Sequence, residues 1–460
     1  MKKFVFLLGL IGSIFNGVAQ NSTIFSLADC IRYAEQHSLT LQTSEISKEM
    51  SEISLRQSKL NLTPTISASA SQGLNHSIGD GLSLNGNYGI NMGMNLFNGL
   101  YNYNAIKQSK LSVQQSELQR ERTFNQLKIS IIQSYLSILM NYEMIEYQRV
   151  VLETSREQFE QGKQQFKVGQ ILESDFLMLE SQYKSDSLNI ENTKITIANQ
   201  YVTLRNLLVM EPGIVLQLEI PDSTSLIRQL EIPELSEVLQ KTIGYLPDIK
   251  IDSNSVKLAQ YDVKIAQSSY YPALSLSAGA NTGWSWLSQN NINSVGDQMK
   301  NRFGESVGLN LSIPIFSRHS VKSNVDMRKL SVQQAELQLK QTQMDIQRDI
   351  ESYYHTLSTT LNKFTISEIQ KNAYFANYLA YIQQFKYGSI TAADLLQQQS
   401  NYLNILHNYM QNKYSFLLDR KILDIYMGSP RVLALSYSAL LVSIKIFEKR
   451  CHLMTSFVHI

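Results

Sequence analysis

Residues 84–96 read Leu84-Asn85-Gly86-Asn87-Tyr88-Gly89-Ile90-Asn91-Met92-Gly93-Met94-Asn95-Leu96. The even-numbered positions of this run, one parity of the strand, are apolar except for Gly86. The odd-numbered positions, the other parity, contain only asparagine and glycine. Such an alternation predicts a strand that is longer than the five or six residues usual in globular proteins. A second run, 306–315, repeats the pattern, with Val307, Leu309 and Leu311 on its apolar parity and Asn310 on its polar parity.

Each of these runs follows another alternating run, at 65–75 and at 273–286, and a proline precedes both. The polar parity is nearly free of charge, whereas the solvent face of a soluble sheet usually carries Lys, Glu and Thr. A half-buried sheet of a soluble sandwich is the alternative, but small uncharged side chains suit a water-filled lumen better. We therefore predict membrane-spanning strands with interfacial aromatics at Trp284 and Trp286. The predicted lumen-facing residues are Asn85, Asn87, Asn91, Asn95 and Asn310.

Four such strands are too few for one chain to close a barrel, which needs at least about eight. An open sheet edge is not stable in lipid, because its backbone groups would lack partners. Membrane-spanning strands therefore predict an oligomer, with 12 strands from three chains or eight strands from two.

Long helices adjoin the strands. Residues 101–162 contain no proline and no glycine before Gly162, and their apolar residues recur at threes and fours. This spacing predicts a helix of about 60 residues, roughly 90 Å long. A second helix of the same length is predicted over 321–387. Shorter helical segments are predicted over 27–60, 175–208, 234–269 and 394–426.

The chain contains a duplication. The segment that starts at Leu111 reads LSVQQSELQ, and the segment that starts at Leu330 reads LSVQQAELQ, at an offset of 219 residues from 111 to 330. The same offset maps Phe97 onto Phe316 and Asp175 onto Asp394. Two long copies without insertions between them indicate a duplicated unit of fixed length rather than a solenoid of many short repeats.

The N-terminus has the features of a secretory signal, with Lys2-Lys3, an apolar run over 4–15, and small residues Gly17-Val18-Ala19 before a cut at Gln20. The chain has 41 basic and 39 acidic residues, a balance that does not favour nucleic acid as a partner. Cys30 and Cys451 have no metal-like spacing, and free thiols are favoured over a disulfide. Neither the scattered histidines nor any motif indicates an enzyme, a metal site or a cofactor.

Two turns carry a resemblance to a known family. Phe166-Lys167-Val168-Gly169 and then Asp175-Phe176-Leu177 follow the first long helix, and Phe385-Lys386-Tyr387-Gly388 and then Asp394-Leu395-Leu396 follow the second. With these turns the chain, over about 25–428, resembles the TolC-like family of outer-membrane efflux ducts. The resemblance implies an α+β membrane protein, in which a long α-helical periplasmic barrel joins a trimeric, 12-stranded transmembrane β-barrel, to which each chain contributes four strands.

The resemblance also implies partners. The chain would be the outer-membrane exit duct of a tripartite efflux or type I secretion system, a passive conduit for small molecules or proteins. As a homotrimer in outer-membrane lipid, it would dock a periplasmic adaptor protein that is tied to an inner-membrane pump. The adaptor-contacting tip residues would be Val168, Gly169, Tyr387 and Gly388.

In this family, aspartates narrow the closed periplasmic mouth, and Asp175 and Asp394 are the candidates here. A second acidic residue often stands three places later, where this chain has Gln397. Capping of the helix that follows each turn is the alternative role for both aspartates, and both roles can coexist. Glutamine-rich faces such as Gln114-Gln115 and 397–399 are compatible with a lumen lining and equally with a solvated surface.

The long helices alone would also permit a periplasmic coiled-coil scaffold, which the polar-faced strands disfavour. The predicted division of the chain is a signal peptide 1–19, a first repeat 20–209, a connector 210–235, a second repeat 236–428 and an atypical tail 429–460.

Overall fold

The computed structural model describes residues 24–77, 81–211, 216–220, 232–287 and 294–429. The predicted signal peptide, Cys451, much of the connector, and all of the tail after Ser429 lie outside these residues.

The first copy begins with a short strand and two helices and then forms two long strands and two long helices. Its elements are β1 (Ile24–Phe25), α1 (Leu27–His37), α2 (Leu39–Leu60), β2 (Thr65–Ser77), β3 (Gly81–Asn98), α3 (Tyr101–Lys167), α4 (Glu173–Leu208) and β4 (Gln217–Leu218). The second copy follows the same order with one additional short helix, and its described residues contain no counterpart of β1 or β4. Its elements are α5 (Leu235–Tyr245), α6 (Pro247–Ser268), β5 (Ala273–Leu287), α7 (Val295–Asn301), β6 (Gly304–Ser312), α8 (Ser320–Lys386) and α9 (Ala392–Tyr426).

The four long strands form one antiparallel sheet in the order β2-β3-β5-β6. Both connections, β2 to β3 and β5 to β6, lie at the end of the sheet away from the long helices α3 and α8. Strand β1 pairs with β4 in a separate parallel sheet of two strands.

The long helices α3 and α8 contain 67 residues each, so the two copies match in length. Both begin after a tight turn with two successive residues at positive φ, Gly99 and Leu100 in the first copy and Arg318 and His319 in the second. A side chain at Gly99 would collide with the backbone oxygen of Ser268, so this turn requires glycine there.

The helices form a layer that continues from the sheet. Nearest the sheet, α2 packs on α3, and α6 packs between α3 and α8. Farther away, α3 and α4 form one hairpin, α8 and α9 form another, and α9 packs against α3 and α4. The predicted apolar face of α3 lies in the core, where Ile131, Tyr135 and Ile138 are buried.

Five local features differ from the sequence-based expectation. The helix predicted over 27–60 is interrupted at Ser38, and the one predicted over 234–269 is interrupted at Leu246, which is extended because Pro247 follows it. Strand β6 ends at Ser312, since Pro314 has no N–H for a ladder bond. A β-bulge between Asn95 and Phe97 places Phe97 opposite Leu274. Helix α7 lies between β5 and β6, in a segment for which the sequence predicted no helix.

No helix in the described part of the chain is both long enough and apolar enough to cross a membrane.

Candidate functional site

The predicted lumen-facing residues share one face of the sheet. The pairing register places Asn85, Asn87 and Asn91 opposite Gly73, Ser71 and Ser67 of β2. On the other side of β3, Asn95 lies opposite Ser275, which in turn pairs with Asn310 of β6. Apart from Thr65 and Ala273 at the ends of β2 and β5 nearest the long helices, the polar parity of the four strands within 65–75, 83–95, 273–285 and 304–312 contains only Ser, Asn and Gly. This polar face therefore continues across the sheet without a charge.

On the polar face, asparagine side chains lie over the glycines of the neighbouring strand. A Cβ added at Gly73 would come within 2.8 Å of Asn85 Oδ1, and one at Gly279 would come within 2.9 Å of Asn91 Oδ1. The glycines leave room for the amides to lie flat against the backbone instead of projecting from the sheet. The four pairs are Asn85 on Gly73, Asn91 on Gly279, Asn87 on Gly283 and Asn281 on Gly89.

The opposite face carries the predicted aromatics. Trp284 pairs with Gly86 and its indole lies over that glycine, at a position where any Cβ would overlap Nε1. Trp286 pairs with Leu84 and is 44% exposed. Both tryptophans lie near the hairpin end of the sheet, on the side that also presents Ile66, Ile90 and Leu309.

The two predicted tips have the same geometry. Gly169 has a φ of +73° and Gly388 a φ of +72°. In each turn the glycine N–H donates to the carbonyl three residues back, and the next N–H donates to the carbonyl five residues back, at 2.8 Å for Gln170 to Gln165 and 2.9 Å for Ser389 to Gln384. This is the Schellman pattern that ends a helix with a left-handed glycine.

The residues before these glycines project into open space. Val168 is 70% exposed and Tyr387 is 79% exposed, and nothing lies within 4 Å of a Cβ placed at either glycine. Behind the first tip, Phe166 stacks on Phe176 with ring centroids 5.3 Å apart, and Phe176 stacks on Phe159 at 5.7 Å. The aromatic stack fixes the α3–α4 turn, so that Val168 and Gly169 are presented on a rigid end.

Asp394 belongs to a capping box and is not itself the N-cap. Thr391 is the N-cap of α9, its hydroxyl accepts from the Asp394 N–H at 3.2 Å, and Asp394 Oδ2 accepts from the Thr391 N–H at 3.2 Å and from its hydroxyl at 2.7 Å. The hydrogen bonds from Thr391 lower the pKa of the Asp394 carboxyl below its ordinary value. The side chain is exposed and ionised at neutral pH.

Asp175 lies in the first turn of α4 beside Glu173, three residues after the N-cap Leu172. Leu172 cannot cap the helix with its side chain, and no side-chain cap bond is present there among the described residues. The N-cap role considered for Asp175 is therefore wrong. Its carboxylate still interacts favourably with the positive end of the α4 dipole.

Sequence reasoning missed the buried polar groups that connect the two helical hairpins. Lys413 of α9 is buried, and its Nζ lies 2.7 Å from both carboxylate oxygens of Glu143 on α3. The hydroxyl of Tyr414 donates to Glu143 Oε2 at 2.9 Å. A signal was present in the sequence, because Lys413 stands on the apolar face that Leu406, Met410 and Leu417 define.

A second connection lies nearer the tips. Asp186 of α4 accepts from Gln399 of α9 at 2.7 Å and from Gln182 at 2.9 Å, and Gln158 of α3 donates to the hydroxyl of Tyr378 on α8 at 3.4 Å. Burial raises the pKa of the Asp186 carboxyl above its ordinary value, and its hydrogen bonds offset part of that rise. Gln399 is fully buried, so this glutamine-rich segment is neither a lumen lining nor a solvated surface at that position.

Comparison with known proteins gives one family and several similar folds. The family model described as outer membrane efflux protein matches residues 30–208 and 238–429. No curated protein sequence matches the chain.

The fold is similar to solved structures at low sequence identity. CusC, whose structures were described in terms of folding and transmembrane channel formation, has a TM-score of 0.75 at 13% identity, over 91% of this chain and 96% of its own. The outer membrane protein VceC of Vibrio cholerae has a TM-score of 0.73 at 15% identity, over 88% and 96%. The CmeC outer membrane channel of Campylobacter jejuni has a TM-score of 0.70 at 18% identity, over 92% and 89%.

Proposed function

Because the chain belongs to the outer membrane efflux protein family, we propose that three copies of it form one exit duct with a closed barrel of 12 strands. The resemblance to TolC-like ducts that the two turns indicated is confirmed, and the chain has their fold. It is an outer-membrane efflux channel protein whose helices lie in the periplasm. The finer assignments below are proposals for this chain.

One observation carries the proposed assembly, the uncharged polar face that runs across the four-stranded sheet opposite an apolar face. An apolar outer face suits lipid, and a face of Ser, Asn and Gly suits water. In the sheet as described, β2 and β6 each have one edge without a strand partner. Since an unpaired edge is not stable in lipid, β6 of one copy would pair with β2 of the next until the barrel closes.

The two tips are the proposed docking surface for a periplasmic adaptor protein that is tied to an inner-membrane pump. They share one backbone geometry, they end helices of equal length, and they expose Val168 and Tyr387. In the proposed trimer six such tips would lie at one level. The duct then takes its direction and energy from the pump and passes solutes without chemistry of its own.

Asp175 and Asp394 follow the tips and are the proposed narrowing of the periplasmic mouth. Carboxylates that line a narrow aqueous opening repel one another and attract cations. The capping box holds Asp394 in its ionised form at the start of α9. Its hydrogen bonds to Thr391 are compatible with this role, because the carboxylate remains exposed to solvent.

The assembly is tested with purified protein in detergent and in planar lipid bilayers. We expect a trimer that dissociates on heating, together with ion-conducting events after reconstitution. A stable monomer, or a trimer that never conducts, would contradict the proposed duct.

The docking surface is tested with paired substitutions at the tips in the native host. The double variant Gly169→Val/Gly388→Val should still form the heat-sensitive trimer, because an exposed turn tolerates about 1–2 kcal/mol of strain per site. It should nevertheless leave cells as sensitive to toxic compounds as deletion of the gene, because the tips would be misshapen and bulkier. The matched control Gly169→Asn/Gly388→Asn, which adopts positive φ more readily, should retain efflux. Normal efflux by the valine variant would exclude docking through these glycines.

A further inference from the structure

Arg302 lies beside the polar face, near the hairpin end of the sheet. An open recess on this face is lined by Ser69, Ser71, Asn87, Asn281 and Gly283, and Arg302 completes its wall. Asn87 pairs with Gly283 in the register, and Gly304, two residues after Arg302, pairs with Asn281. The arginine therefore stands level with the asparagines of the outer part of the sheet.

The position of Arg302 is fixed from both sides. Helix α7 is anchored to the edge of β5, where Gln298 Oε1 accepts from the Ser285 N–H at 2.9 Å and the Thr282 hydroxyl donates to the Met299 carbonyl. Arg302 caps the end of α7, with its N–H bonded to the Gln298 carbonyl at 2.8 Å, and β6 begins at Gly304. The guanidinium is thus attached to an ordered segment and not to the free part of a loop.

Arg302 is a positive charge beside an otherwise uncharged face. The polar parity of the described strands carries no charged side chain, and among the described residues no carboxylate forms an ion pair with Arg302. The recess offers hydroxyl groups from Ser69 and Ser71 and amide N–H groups from Asn87 and Asn281. A guanidinium together with such neutral donors suits the oxygens of a carboxylate, phosphate or sulfate group.

We propose that Arg302 and the recess beside it form a binding station for the anionic group of a passing solute, in the part of the lumen nearest the outside. This inference rests on the proposed function, because it requires the polar face to line a water-filled lumen. Three copies of the station in one barrel would reinforce each other, since like charges in a narrow pore add to one field. The sign of this field is opposite to that of the aspartates proposed for the periplasmic mouth.

A cysteine at position 87 reports the electrostatic field near Arg302. This measurement does not depend on the periplasmic mouth. Asn87→Cys is made in a Cys451→Ser background, and Cys30 is buried. The trimer in detergent is treated separately with an anionic and a cationic methanethiosulfonate, and the two modification rates are compared. Arg302→Gln should lower the ratio of anionic to cationic rates by about fivefold, as expected when one nearby charge acts on reagents of opposite sign. Inorganic phosphate should slow the anionic reagent only when Arg302 is present.

Lys300→Gln is the matched control, because it removes a neighbouring positive charge that does not line the recess. It should leave the rate ratio and the effect of phosphate unchanged. Equal ratios with and without Arg302 would overturn the binding station and leave the proposed duct intact. If neither reagent modifies Asn87→Cys while both modify Val295→Cys, the polar face is not exposed to water, and the lumen assignment itself is wrong.

Discussion

At the scale of single residues, asparagine and glycine divide the polar face of the sheet between them. Four asparagine amides each lie over a glycine of the neighbouring strand, and Trp284 lies over Gly86 in the same way on the apolar face. The large side chain fills the space that the glycine leaves, and it shields a backbone that would otherwise be bare. Alternation of Asn and Gly along β3 is therefore a packing requirement as well as a polarity pattern.

Gly89 provides the sharpest test of this packing. A Cβ at Gly89 would overlap Asn281 Oδ1, so Gly89→Ala should lower the free energy of unfolding by about 2 kcal/mol, a usual cost of overpacking. Heat-induced dissociation of the trimer and loss of sheet signal in circular dichroism would measure this. Gly304→Ala is the control, because Gly304 pairs with Asn281 from the other side and has nothing within 4 Å of a new Cβ. If the two variants are equally stable, or if Asn281→Ala fails to rescue Gly89→Ala, the explanation is wrong.

At the scale of helices and strands, the sequence was most informative where one pattern ran uninterrupted. The absence of proline and glycine predicted α3 and α8, and strict alternation predicted the four strands of the sheet. Breaks that depend on a single residue, such as the one at Ser38, have no comparable signal. Helix α7 was missed because it is held by Gln298 and Thr282 contacts to β5, which only the folded chain brings together.

Only the parts of the candidate site that depend on local sequence patterns could be predicted. The asparagine face and the tip glycines follow from local patterns, which the duplication repeats. The exact cap residues and the partners of Asp186 and Lys413 depend on how two hairpins meet. Asp186 nevertheless occupies a position in step with the buried Leu179, Ile190 and Ile197 of α4, and a carboxylate in such a series indicates a buried polar contact.

Asp186 connects α4 to α9, and its titration should be visible in the stability of the protein. Its pKa is raised by burial, so at a pH just above the ordinary value of about 4 the folded chain holds a proton that the unfolded chain has lost. The contribution of Asp186 to the free energy of unfolding therefore falls as the pH rises from the ordinary pKa through the raised one. Asp186→Asn cannot ionise, and its stability relative to the unsubstituted protein should increase from pH about 4 towards neutral pH.

Thermal unfolding of the two proteins between pH about 4 and 8 measures this difference. Asp394→Asn is the control and should show a constant stability difference over this range, because hydrogen bonds from Thr391 lower the pKa of the Asp394 carboxyl below its ordinary value. The stabilising effect of the Asp394 carboxylate is present above its ordinary pKa and is lost only at lower pH, as the pH falls through the lowered pKa. Parallel stability curves for Asp186→Asn and the unsubstituted protein would show that Asp186 is not a buried carboxylate in solution.

At the scale of the whole molecule, the two copies are joined by charged groups as well as by apolar packing. Lys413 is only 2% exposed and meets Glu143, which lies 270 positions away in the chain. Removal of one member of a buried ion pair leaves the other charged group without compensation. The contact thus makes the relative placement of the hairpins depend on both residues together.

Glu143→Gln should destabilise the protein by about 3 kcal/mol, because Lys413 would remain buried without its counter-charge. The double variant Glu143→Gln/Lys413→Met should recover most of that loss, since both charges are then absent. Glu146→Gln is the matched control on the same helix, where the carboxylate pairs with Arg149 at an exposed position and should contribute less than about 1 kcal/mol. Chemical unfolding of the unsubstituted protein and the three variants provides the comparison, and a double variant no more stable than Glu143→Gln would contradict the coupling.

The flat asparagine amides have a consequence for what the duct can carry. In the proposed assembly the wall has almost no relief, so its bore depends on the number of strands and hardly on the side chains. Away from the recess beside Arg302, donors and acceptors alternate along such a wall, and a hydrated solute finds no position there much better than the next. Outside that recess, such a surface does not sort its cargo. The same chain could therefore serve a succession of pumps during evolution while its strands stay unchanged, with only the tips adapting to each new partner.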